Sequence, residues 1–137
     1  MVESGKDLVR RLVRDVFNGE RPQTADEVLA PTFINHNAMP GTPPGPEGTR
    51  RANESIRTAF PDWVESIEDL ITEGDRVVLR AIGRGTHQGE FMGIPPTGLR
   101  VEVGGVAIFR IDADQIVEQW GLVDMLGMLR QLNALDR

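Results

Sequence analysis

Three side chains in this sequence stand out as candidates for proton transfer: Asp124, His36 and His87. Asp124 closes the run Trp120-Gly121-Leu122-Val123-Asp124-Met125-Leu126, and almost all its neighbours are apolar. Strand alternation groups it with Ile116, Glu118, Trp120 and Leu122. If that face is concave, Asp124 points into an apolar pocket. Desolvation then raises its pKa, and a carboxyl poised nearer neutral pH is a usable general acid or base. The same position also suits a helix N-cap, where amide donors and the helix dipole lower the pKa instead. The two readings predict opposite shifts and both stay open. Gly127, inside the following helix, costs about 1 kcal/mol against Ala, which hints that something such as a ligand passes close there.

His36 precedes a Pro/Gly-rich stretch, and His87 ends a strand in Gly85-Thr86-His87-Gln88-Gly89. Either imidazole can carry protons near neutral pH, although a lone histidine is more often packed or at the surface. No HExxH and no closely spaced His pair is present, so no metal site is expected. With no cysteine, disulfides, thiolate metal sites and a cysteine nucleophile are excluded. The serines sit in no nucleophile-elbow context, and no Gly-rich phosphate loop follows a strand. Arg80 and Arg84 share a strand face, which reads first as a solvated outer face or a dimer seam.

These residues need elements to hold them. Leu8, Leu12, Val16 and Val9, Val13, Phe17 recur at helical spacing, so residues 4–18 read as a helix with Ser4 as its cap and Asn18-Gly19 as its stop. A short helix is expected over Thr24–Leu29, capped by Thr24. Ala38–Gly48 is too rich in Pro and Gly for a helix or a central strand. Thr49–Phe60 reads as a third helix with Ala52, Ile56, Ala59 and Phe60 inward, stopped by Pro61. Residues 63–71 fit a helix by spacing, but Glu73-Gly74-Asp75 leads directly into a strand and favours a hairpin. Strands follow at 75–87, 101–111 and 115–123, and a helix at Met125–Leu135. Val77, Leu79, Ala81, Gly83 and Gly85 share one face of the first of these strands. Glycines 83, 85, 104 and 105 suggest bulges or sharp bends. Helices followed by a strand meander predict an α+β fold with a mainly antiparallel, curved sheet, in one domain over residues 1–137.

The chain of 137 residues carries a net charge of −6, contains no tyrosine and has few aromatics, which argues against nucleic-acid binding. No stretch reaches membrane-spanning length and no leader is recognisable, so a cytoplasmic protein without membrane partners is expected.

Three segments together resemble the SnoaL-like polyketide cyclase family. They are Phe33-Ile34-Asn35-His36-Asn37 running into Gly45-Pro46-Glu47-Gly48, then Gly85-Thr86-His87-Gln88-Gly89-Glu90-Phe91-Met92-Gly93-Ile94-Pro95-Pro96-Thr97-Gly98, and Ile116-Val117-Glu118-Gln119-Trp120 with Asp124 and the final helix. The resemblance implies a nuclear-transport-factor-2-like fold: a cone of curved sheet closed by N-terminal helices around one central pocket, commonly a homo-oligomer (dimer or tetramer). It implies cofactor-free closure of a ring by aldol chemistry on a polyketide methyl ester, with the aspartate at position 124 as general acid/base. Asp124 would move the proton, the walls would fold the substrate, and His36, His87 or backbone amides would steady the enolate oxygen. Trp120, Trp63, Asn37, Phe91, Met92 and Phe33 are the candidate substrate-binding side chains, and the partner is a small apolar carbonyl compound. The strand Val103–Phe109 lacks the polar side chains associated with such cyclases. The fold also hosts other reactions, so an epoxide hydrolase and a non-catalytic binding or dimerisation module stand as alternatives.

Overall fold

The structure is a computed structural model that describes residues 4–135, so the ends of the expected 1–137 domain lie outside the described residues. Helix α1 (Gly5–Arg11) starts at Ser4, whose hydroxyl accepts the Asp7 N–H at 3.1 Å. It continues as a π-helical turn, Leu12–Phe17, which buries Leu12, Val13, Asp15 and Val16. The wider turn ends with Asn18 N–H donating to Val13 C=O at 2.8 Å. This leaves Phe17 and Asn18 facing the sheet rather than solvent.

Helix α2 (Thr24–Val28) begins at Thr24, but Thr24 is not its cap. Its hydroxyl instead donates to the Asp15 carboxylate at 2.7 Å. Strand β1 (Leu29–Asn35) contains Pro31 and lies at a sheet edge, where a missing N–H costs no ladder bond. Helix α3 (Gly45–Ala59) starts four residues earlier than Thr49, with Pro46 in the first turn, where its missing N–H is harmless. Ala59 and Phe60 are buried as expected, whereas Ala52 is exposed. Strands β2 (Val64–Glu73), β3 (Arg76–Thr86), β4 (Arg100–Asp112) and β5 (Gln115–Val123) follow. The final helix α4 runs only over Met125–Gln131. It stops where Asn133 adopts a left-handed φ of 57°.

The sheet order is β1-β5-β4-β3-β2. β2 to β5 form the expected antiparallel meander. β1 pairs parallel with β5, so the sheet is mixed. The register shifts fall within β1, at Ile67/Asp69 and at Arg110/Ile111, not at the glycines. β3 and β4 pair without interruption from Arg76/Arg110 to Thr86/Arg100. Gly83 has another purpose: a Cβ there would lie 2.1 Å from the Trp63 ring.

The concave face of the sheet carries two apolar clusters. One joins α1, the π-turn, α2 and β1 to Val77, Leu79, Ala81, Phe109 and Ile116. The other joins Phe60, Trp63, Val101 and Val103 to Met128 of α4 and to Leu132, the residue that caps its end. The result is a cone of curved sheet closed by helices. No helix among the described residues is long and apolar enough to cross a membrane.

Candidate active site

The cone retains a cavity of about 240 Å3. Its walls are Phe17, Trp63, Leu79, Ala81, Val103 and Ala107. Gly83, Gly105 and Gly121 face it without side chains, and this is where the empty volume comes from. Its polar groups are the amides of Asn35, Asn37 and Gln119 and the carboxyl of Glu65. Trp63 and Asn37 are therefore among the residues that line the cavity.

Glu65 was not singled out by the sequence reading. The pattern that finds it is strand alternation: Trp63, Glu65 and Ile67 share one face of β2, with Glu65 opposite Gly83 and Ile67 opposite Ala81. The bulge at Glu68 then resets the face so that Leu70 also points inward, which disguises the period-2 pattern as a helical one. Glu65 Oε2 accepts the Trp63 indole N–H at 3.1 Å. Asn18 clamps its backbone on both sides, accepting from Glu65 N–H at 2.7 Å and donating to Glu65 C=O at 3.0 Å. Burial pushes the Glu65 carboxyl above the usual Glu range, against smaller downward pulls from the Trp63 hydrogen bond and the Arg57 guanidinium.

The amides are oriented by their own bonds. Asn35 Oδ1 accepts from Asn37 N–H at 3.0 Å. Asn37 Oδ1 accepts from Gly121 N–H at 2.8 Å. With both carbonyl ends taken by backbone donors, the NH2 ends have no partner among the described side-chain hydrogen bonds.

Asp124 sits elsewhere. Its residue is exposed, and Oδ1 accepts the Gly127 N–H at 2.9 Å as the N-cap of α4. The β4–β5 register puts Gln119, Gly121 and Val123 on the concave face with Phe109, Ala107 and Gly105, so Glu118, Trp120 and Leu122 face outward. Asp124 lines an open outer groove with Arg80, Ile82, Glu102 and Leu122. What passes close to Gly127 is Asp124 itself, since a Cβ at 127 would meet Asp124 Oδ2 at 2.3 Å.

The histidines are separated too. His36 Nε2 bonds Glu118 at 2.7 Å, and its ring stacks on Trp120 at 4.9 Å on the outer face. Glu118 also takes a hydrogen bond from Arg110, and with His36 as the larger cause the pair hold its carboxylate below the usual range. Trp120 is thus an outer-face residue, with the Arg76 guanidinium 4.9 Å from its ring. His87 is fully buried beside Phe60 and outside the cavity lining. Its Nδ1 accepts the Thr97 N–H at 3.3 Å, which leaves the proton on Nε2 and makes His87 a clasp on the 88–98 loop. Phe33 packs in the first cluster, Phe91 against the second, and Met92 is exposed at φ 50°. None of the three lines the cavity.

Comparison with known proteins fits this geometry. Residues 7–132 match the SnoaL-like polyketide cyclase family. The chain belongs to that family. Aklanonic acid methyl ester cyclase DauD of Streptomyces sp. (strain C5) is 30% identical over 130 residues, covering 92% of this chain and 80% of that protein. A pathogen-related protein of Hordeum vulgare is 32% identical over 114 residues, 74% of this chain, and the match spans only 48% of its length. The structure of TsrD from Streptomyces laurentii superposes with a TM-score of 0.85 at 32% identity, covering 97% of this chain and all of that one (100%). A SnoaL-like cone therefore accounts for the curved mixed sheet, the helical cover and the cavity on its concave face.

Proposed function

We propose that this SnoaL-like chain is a cyclase-type enzyme that folds an apolar, carbonyl-bearing, polyketide-like molecule inside the cone and moves protons on it with a carboxyl group. The observation that carries this reading is the cavity: apolar walls, three side-chain amides and one carboxyl, flanked by two hydrophobic clusters. Apolar walls bring two carbons of a flexible chain together, which is the entropic part of a ring closure. Amide donors suit an oxygen that gains negative charge as an enolate forms.

The volume of about 240 Å3 is below the roughly 300 Å3 at which ordinary ligand pockets begin. It suits a compact ketone, or the reacting end of a longer one. Two carboxyls are candidates for the proton transfer. Asp124 is the one the family resemblance implies, and Glu65 is the one that lines the cavity. An epoxide hydrolase would call for a second carboxyl with an arginine around one water, and Glu65 is the one ionisable group among the described cavity-lining residues.

The test is turnover of a linear poly-β-ketone methyl ester, followed by chromatography and mass spectrometry. An aldol ring closure conserves mass, so the product appears at the same mass with a new retention time. Gly121→Leu, which puts a side chain into the cavity, is expected to abolish the product. Product that persists with the cavity filled would sink this reading.

A further inference from the structure

We propose that Glu65 is the proton-transfer residue of the cone, and that Asn35, Asn37 and Gln119 are the donors that receive the carbonyl oxygen of the bound molecule. This rests on the reading of the cavity as a carbonyl-binding site. Four observations converge on it. Glu65 is the one ionisable side chain among the described residues lining the cavity. Its Oε2 is fixed by the Trp63 indole, and no described group bonds Oε1. Its backbone is pinned by Asn18 at both N–H and C=O, so the carboxyl is presented from a rigid edge strand although β2 has no outer strand neighbour. The amides stand on β1, the turn after it and β5, at the far side of the sheet from β2, so donor set and carboxyl line the same cavity from opposite sides.

The groups facing Glu65 are consistent with a carboxyl that changes protonation. Trp63 donates one neutral hydrogen bond. Arg57 of α3 acts on it through charge, while the Arg57 Nη2 hydrogen bonds go to the carbonyls of Phe17 and Trp63. Asn18 touches only its backbone. A desolvated carboxyl with one weak donor holds its proton to higher pH and still releases it when a substrate oxygen or water solvates it.

The chemistry balances on this one group. Glu65 Oε1 takes the proton from the carbon between two carbonyls. The C–H pair becomes the enolate C=C bond, and the carbonyl π pair moves to oxygen, where the amide N–H groups meet it. The enolate carbon bonds to the second carbonyl carbon. The oxygen of that carbonyl takes the proton back from Glu65, and the carboxylate is regenerated with no other reactant consumed.

Two measurements on the full chain test this. Side-chain carboxyl resonances, assigned by triple-resonance NMR, give the Glu65 titration directly in the unmutated protein. Glu65 is expected to titrate above the ordinary Glu value of about 4.3. Cyclohexanone in D2O serves as the probe for proton abstraction, with binding read from cavity amide shifts and exchange from the loss of its α-proton signal. Exchange is expected to exceed that in buffer alone, to fall at least tenfold in Glu65→Gln, and to persist in Glu118→Gln on the outer face. An ordinary or depressed Glu65 titration overturns the proposal, as does equal exchange in Glu65→Gln. So does exchange that falls in Asp124→Asn but survives in Glu65→Gln, which would return the role to the β5–α4 junction with the cavity reading intact. Wild-type protein that neither shifts with cyclohexanone nor exchanges it overturns both readings together.

Discussion

The two faces of the β3–β4–β5 meander are built from the same backbone and have opposite character. The outer face carries paired charges and large exposed side chains: Arg80 bonds Asp69 at 2.6 Å, Arg84 bonds Glu102 at 3.1 Å, and His36 bonds Glu118 at 2.7 Å over the Trp120 ring, with Val106, Ile108 and Leu122 exposed among them. The inner face is apolar and deliberately small, with Ala81, Gly83, Gly105, Ala107 and Gly121 lining the cavity. Charges facing water gain little from pairing and lose little when changed. A single carboxyl on the inner face has its protonation set by desolvation. The residue types that look most reactive in the sequence, His36 and Asp124, are those that solvent and local bonds occupy. The group with the environment for chemistry is one glutamate among many in an acidic chain.

One substitution made on each face should give the sharpest contrast. Gly83→Val aims a branched side chain at the Trp63 ring, where even a Cβ would lie 2.1 Å away. The expected loss is about 3 kcal/mol, the upper end of ordinary overpacking. Gly104→Val on the outer face meets no atom within 4 Å at its Cβ, and should change stability by no more than about 0.5 kcal/mol. Urea midpoints at constant slope read both. Similar losses on both faces would mean that the glycines serve the backbone rather than the cavity.

Asp15 is a buried carboxylate, at 7% exposure, and its environment differs from that of the half-buried Glu65. Arg14 foremost, then the Thr24 hydroxyl, hold it below the usual Asp range in spite of burial. Its contribution is therefore present above the ordinary Asp pKa and is lost as pH falls through its lowered value. Asp15→Asn should cost about 2 kcal/mol near neutral pH, the scale of a buried polar group left with poorer partners. The loss should shrink on acidification. A gap that stays constant down to low pH would remove Asp15 from the acid limb.

Glu65 must show the opposite sign. Its folded pKa is raised, so the stability it contributes as a neutral acid is present below the ordinary Glu value and is lost as pH rises through its raised value. Glu65→Gln keeps an acceptor for the Trp63 indole and cannot ionise. The variant should therefore gain on the wild type as pH climbs from mildly acidic toward neutral, read as a thermal midpoint that rises relative to that of the wild type. A variant midpoint that falls relative to the wild type as pH climbs would place Glu65 with Asp15 among carboxylates stabilised by their charge.

The helices, the meander and the inner face of β3 were legible because each leaves a local mark: helical spacing in Leu8–Val16, turns at Gly74 and Asp112-Ala113-Asp114, and alternation from Val77 to Gly85. The parallel pairing of β1 with β5 was not legible, because partners such as Asn35 and Gln119 are distant in the chain and Pro31 weakens the strand signal. The grouping of Asp124 with Ile116 on one face fails for a local reason, and the N-cap reading is the one the structure shows. Val117 is the extra residue of a β5 bulge, with Arg110 opposite Glu118 but Ile111 opposite Ile116. Counting by twos from Ile116 across that bulge leads to the wrong side of the sheet. The bulge at Glu68 hid Glu65 in the same way. Asn37 stood out only as part of the family-like segment Phe33–Asn37 and Trp63 only as a large apolar side chain; a glutamate flanked by Val64 and Ser66 carries neither mark.

The smallest effect concerns Asp124 and Gly127, and it separates a cap from a ligand site. In the folded chain the Asp124 carboxylate occupies the space a side chain at 127 would need. Gly127→Ala should gain about 1 kcal/mol from helix propensity. It should forfeit a cap bond of similar size, about 1 kcal/mol, and come out nearly neutral. In an Asp124→Ala background the cap is already gone and the collision with it. There Gly127→Ala should stabilise α4 by most of the propensity term, about 1 kcal/mol. The double-mutant cycle thus predicts a coupling of about 1 kcal/mol between two residues that touch, measurable by chemical denaturation. A coupling near zero would mean that Asp124 does not cap the helix in solution and is free to turn away from Gly127, and the Asp124→Asn arm of the exchange experiment would then carry the weight of deciding between the two carboxyls.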